Sequence, residues 1–168
     1  MIVFEDGVFI ISNNRGRAKR APRGKGGPDS QRQSAYAAET VAECRVPCKI
    51  VCLPFEGKLH ACAALLDRVV CDKRWRYGGI RFLLAENGRI SAPRMVPSKP
   101  AKIELCRSHG ESAFNLAHEL AHVVAGDSSP DHGAVWAGIM LDVTGLMMGT
   151  KGADCLRDLY NKKGVHYV

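Results

Sequence analysis

The 168 residues contain no apolar run near the ~20 residues that a membrane-crossing helix needs, so no helical span is expected. No secretory leader is expected either. In the opening MIVFEDGVFIISNN, Glu5 and Asp6 stand where basic residues would precede the apolar stretch, and that stretch is short. The expectation is a cytoplasmic protein. No two cysteines form a CxxC unit, and their number, seven, is odd, which excludes a secreted disulfide framework. Cys44, Cys48 and Cys52 share a four-residue spacing, but Pro47 breaks any helix that would align them, so they read as reduced structural thiols. Finally, no glutamate follows Glu119. That gap bears on the chemistry below.

What is present is a hydrophobic fraction of 46% and a charged fraction of 24%, enough for one soluble domain with a core. The net charge of +7 is uneven: residues 1–28 hold six basic side chains (Arg15, Arg17, Lys19, Arg20, Arg23, Lys25) against Glu5 and Asp6. Residues 13–30, NNRGRAKRAPRGKGGPDS, have almost nothing to bury. The expected organisation is therefore a flexible basic extension over residues 1–28 and a folded domain over 29–168. GVFIIS within the extension reads either as a short strand or as an extended start. Helical spacing begins at DSQRQSAYAAETVAEC, capped by Asp29 or Ser30, with Tyr36, Ala37, Val41 and Ala42 facing inward. KLHACAALLDRVVCDKRW predicts a second helix burying Leu65, Leu66, Val69 and Val70. IRFLLAENGRISAPRMV predicts a tight hairpin at Asn87-Gly88, and AKIELCRS a further strand. SAFNLAHELAHVVAG is a helix ended by Gly126, and Ser129-Pro130-Asp131 starts another that runs through AVWAGIMLDVTGLMM. ADCLRDLYNKK is the last. Helices, a small antiparallel or mixed sheet, then helices make the class α+β.

The chemistry lies in FNLAHELAHVVAGDSSPDHGAVW. His118 and His122 are four apart and share one helix face, so both imidazoles can reach one ion. Glu119 is displaced around the helix, placed to take a proton from water without ligating. With this composition, HExxH arises by chance in roughly one random chain in a hundred. The bland alternative, two satisfied histidines on a buried helix, needs many hydrogen-bond partners amid apolar neighbours. The absence of any later glutamate excludes a thermolysin-type third ligand, and Ala125 and Ser128 break the metzincin pattern HExxHxxGxxH. His132, ten residues after His122, is then the third ligand, falling in the first turn of the next helix. Asp131 is the competing donor.

HExxH followed by HGAVW resembles the SprT-like zinc metallopeptidases over about residues 56–150. DSQRQSAYAAE together with HELAH and HG also resembles a small family of metallohydrolases from actinobacteria and their phages, over most of the chain after residue 28. The resemblance implies a zincin-like fold, one zinc on His118, His122 and His132, Glu119 as general base, and a sheet edge along the cleft. Lys102, Ile103, Glu104 and Leu105 would then pair with an extended polypeptide substrate. The SprT C-terminal CxxC zinc ribbon is not matched, since only Cys155 lies there.

Tyr160, Arg94 and His109 are candidate oxyanion donors. Met147 or Met148 could lie beneath the metal or simply pack in the core, Trp136 reads as a packing anchor behind the site, and His60 and His166 as solvent-facing. The expected function is a zinc metallopeptidase in which Glu119 activates zinc-bound water. The alternatives are a DNA-associated protease tethered by nucleic-acid contact through the basic arm, or a zinc-binding module without turnover. Glu119 speaks against the last.

Overall fold

Residues 8–12 alternate in burial: Phe9 and Ile11 are buried, while Val8, Ile10 and Ser12 are only half-buried, the pattern of a strand with one face on a core. The computed structural model describes residues 1–5, 7–13, 15, 31–47, 55–87, 101–105, 112–126 and 132–168. In chain order the elements are β1 (Ile2–Glu5), β2 (Val8–Asn13), α1 (Arg32–Arg45), α2 (Phe55–Cys71), β3 (Ile80–Glu86), β4 (Ala101–Leu105), α3 (Ala113–Ala125) and α4 (Ala134–Lys163). The class is α+β with a mixed sheet. These elements form two compact units, residues 1–19 with 49–111 and residues 20–48 with 112–168.

The first unit is a four-stranded sheet in the order β1-β2-β3-β4, antiparallel except for the last pair. Phe9 pairs with Leu84 and Ile11 with Phe82, and Leu84 in turn pairs with Ile103, so one face gathers a continuous apolar row. Helix α2 packs on β1, β2 and β3 and buries Leu59, Cys62, Ala63, Leu66, Val69 and Val70, a three- and four-residue spacing. Each large apolar side chain buried this way contributes about 1.5–3 kcal/mol. Leu65, expected inward, is half-buried. Burial also pushes the Cys62 thiol up to about 11, so it packs as a small hydrophobe.

One expectation changes here. Residues 2–5 and 8–13 are strands of the sheet, so the N-terminal 28 residues are not wholly an extension; burying Phe9 and Ile11 outweighs the polar composition that follows them. Arg15, counted in the basic arm, donates to the carbonyls of Cys71, Asp72 and Trp75 at 3.0, 2.7 and 2.9 Å, satisfying the end of α2. Arg17, Lys19, Arg20, Arg23 and Lys25 lie outside the described residues, as do Cys48, Cys52 and Cys106. The tight turn expected at Asn87-Gly88 leads into residues that lie outside the described ones, and β4, expected as a further strand, pairs with β3 in parallel.

The second unit is helical. Ser112 caps α3 by accepting the Phe114 amide at 3.1 Å, and Gly126 ends it at φ 63°. Its buried face, Ala113, Phe114, Leu116, Ala117, Leu120 and Ala121, includes His118. Helix α1 buries Ala35, Ala38, Glu39 and Ala42, so its inward face is rotated from the expected one: Tyr36 and Ala37 are exposed. Small side chains let α1 and α4 approach closely. Gly149 at φ 75°, ψ −174° breaks α4 into limbs of residues 134–148 and 150–163, matching the two helices expected there. The Val168 amide donates to the Ala134 carbonyl at 3.2 Å, so the second limb returns the chain to the start of the first.

Candidate metal centre

All three expected ligands converge within the second unit. One ring nitrogen each from His118, His122 and His132 lie within 4.8 Å of one another, and the group could hold a metal ion. His118 Nε2 is 3.1 Å from His122 Nε2 and 3.3 Å from His132 Nε2. Nitrogens bound tetrahedrally at ~2.0–2.1 Å from one ion would be about 3.3 Å apart. The two spacings to His118 fit.

Local structure explains the convergence. His118 and His122 come from successive turns of α3. His132 precedes the helix rather than lying in its first turn: Gly133 is the N-cap of α4, and His132 has φ 57°. No other non-glycine residue among those described has positive φ. His118 and His132 are buried and His122 is half-buried, which leaves the cluster open on one side. Trp136, fully buried one turn later, sets its ring 4.9, 5.3 and 4.6 Å from the three imidazoles and forms the floor. Tyr36 stacks on His118 at 5.1 Å and 18° from the other side.

The residue that sequence reasoning missed is Glu39. It is 5% exposed, among alanines, and a carboxylate there is costly unless paired. Its Oε2 lies 2.9 Å from His118 Nδ1, and its Oε1 accepts from the Tyr160 hydroxyl at 3.4 Å. A carboxylate can only accept, so His118 carries its proton on Nδ1 and turns the Nε2 lone pair toward the other two histidines. Tyr160, proposed as an oxyanion donor, is instead fully buried and bonded to Glu39; burial, followed by the charge of Glu39, raises its hydroxyl far above the usual tyrosine range.

Glu119 follows His118 on α3, with part of its surface open to solvent while its carboxyl has lost part of its hydration. Lost hydration pushes its carboxyl above the usual range, His118 draws it down, and the negative charge of Glu39 raises it again. It is therefore within electrostatic reach of the cluster without being one of the three ligands. Met147 is buried in α4, eleven residues or about 16 Å along the axis from Trp136, which places it in the core and not beneath the histidines. His60 and His166 are exposed. Asp131, Arg94 and His109 are outside the described residues. Lys102, Ile103, Glu104 and Leu105 belong to the first unit, where β4 is the end strand among the described residues, with Ile103 and Leu105 buried and Lys102 paired to Glu104 at 2.7 Å.

Comparison with known protein families, curated proteins and solved structures finds no match to this chain. Among the described residues no helix is long and apolar enough to cross a membrane.

Proposed function

We propose that the protein is a zinc-dependent metallopeptidase of zincin-like architecture, related to the SprT-like enzymes. The observation that carries this reading is the convergence of three imidazole nitrogens with one carboxylate, Glu119, beside them. A nitrogen-only set suits zinc, and three protein ligands instead of four are the mark of a site that keeps a position open for chemistry. Zinc held there supplies a Lewis acid that polarises a carbonyl and makes water more acidic. The remaining work falls to the chain. Glu119, with its raised carboxyl pKa, accepts the proton of the attacking water and returns it to the leaving amine nitrogen. Glu39 and Tyr160 keep His118 in one tautomer, and Trp136 backs all three rings.

Extended polypeptide is the substrate class this reading favours. Among the described residues β4 is the end strand of its sheet, and an end strand can offer backbone groups to a second chain.

The test combines metal analysis with digestion of an unfolded protein. One zinc per chain, proteolysis by the zinc-loaded protein, and loss of proteolysis without loss of zinc in Glu119→Gln are expected. A chain that binds no zinc, or a Glu119→Gln variant that still digests, would refute the assignment.

A further inference from the structure

His132 adopts a left-handed backbone, uncommon and costly for a residue with a Cβ, and such a conformation persists only where neighbours enforce it. The neighbours are identifiable. Gln31 occupies the N-cap position of α1 but makes no side-chain cap to its own helix. Its Nε2 instead donates to the His132 carbonyl at 3.0 Å and to the His166 carbonyl at 3.0 Å, while its Oε1 accepts the His166 amide at 2.7 Å. Both amide hydrogens and the oxygen are thus used.

The segment carrying His166 is itself anchored. Gly164 ends α4 in a left-handed conformation, Val165 is buried, and Val168 bonds to Ala134. At Gly138 a Cβ would lie 1.9 Å from the Val168 carbonyl oxygen, so only glycine lets residues 165–168 lie across the first limb of α4.

We infer that Gln31 and segment 165–168 form a clamp that holds His132 in the backbone conformation its ring needs to join His118 and His122. Gln31 is a positioning residue: it touches the backbone of the third ligand, not the metal position. The inference rests on the metal reading only for what the clamp serves. The clamp itself can be measured without metal.

Gln31→Ala and Gly138→Ala in the full chain test it. In zinc-free protein, the backbone N–H order parameters of His132 and Gly133 are expected to fall in both variants from about 0.85 to below about 0.6, with those of residues 36–45 unchanged. Zinc competition should show at least ~10-fold weaker binding in both variants, a loss of the size that removing an outer-shell partner causes. Order parameters at His132 that stay high in Gln31→Ala overturn the clamp, as does loosening confined to the first turn of α1. A wild-type chain that binds no zinc overturns the metal reading alone, and the order parameters still judge the clamp.

Discussion

Replacing Glu39 with glutamine is expected to move two stabilities in opposite directions. Glutamine keeps the shape: its carbonyl can accept from His118 Nδ1 at the present 2.9 Å, and its amide can donate to the Tyr160 oxygen where Glu39 now accepts. Only the charge is lost. In zinc-loaded protein that charge offsets the ion through His118, and losing such a partner weakens metal affinity about 10–100-fold, or about 1.4–2.7 kcal/mol. At fixed free zinc the same amount is lost from the zinc-linked stability. For a chain of this size the melting temperature of the zinc-loaded form should then drop by roughly 3–10 °C. Without zinc the sign reverses. An ionised carboxylate that is 5% exposed carries a desolvation cost that a neutral amide avoids, so the zinc-free variant should melt no lower than wild type. Competition against a chelating dye measures the affinity, and thermal unfolding with and without zinc measures the rest. Zinc affinity within about threefold of wild type, combined with a destabilised zinc-free fold, would refute the argument and leave Glu39 a packing residue.

Other outcomes follow from the same geometry. His118→Ala and His132→Ala should each abolish stoichiometric zinc, read by elemental analysis after dialysis; full zinc retention in His132→Ala would transfer the third position to another donor. Because lost hydration raises the Glu119 carboxyl, its ionised form opposes folding above that raised pKa. Zinc-free Glu119→Gln should therefore be at least as stable as wild type at pH 7, with the difference vanishing below about pH 4 where both states are protonated; a variant less stable at pH 7 contradicts this. Phe9→Ala should cost about 3–5 kcal/mol in urea unfolding, since Phe9 fills the row between Leu84 and α2. A cost under 1 kcal/mol would mean that β2 is dispensable. Glu104→Pro should leave zinc in place and reduce turnover of unfolded protein, and unchanged turnover would remove β4 from substrate binding.

The helix that carries His118 and His122 was legible in sequence because each of its signals is local: Ser112 and Gly126 bracket it, and HExxH puts two histidines on one face. His132 emerged from inventory, by the exclusion of glutamate. The break in α4 was legible too, in the glycine-rich GLMMGTKG that surrounds Gly149. Glu39 was not. It lies in AYAAET, where alanines carry so little hydrophobic contrast that the inward face of α1 cannot be read from periodicity, and its partner is 79 residues away. Strands β1 and β2 were obscured by the basic, glycine-rich composition of residues 13–28, although Phe9 and Ile11 already alternate with less buried neighbours. Parallel pairing of β3 with β4 is non-local, so no local turn signal could announce it.

The unit that carries the histidines is discontinuous in sequence, with residues 49–111 inserted between α1 and α3. During synthesis α1 emerges first, with the carboxylate of Glu39 committed to a face that nothing yet covers. Its first partner follows 79 residues later and its second 121 residues later. At ~5–20 residues per second, the wait for Tyr160 is about 6–24 s. Contacts at such separation also close slowly in the finished chain, since long loops must be ordered before any contact stabilises them. The sheet unit, residues 1–19 with 49–111, has its whole sequence made before α3 emerges. The order of synthesis is thus written into the topology: the sheet unit is complete in sequence before any of the three clustered histidines has been made.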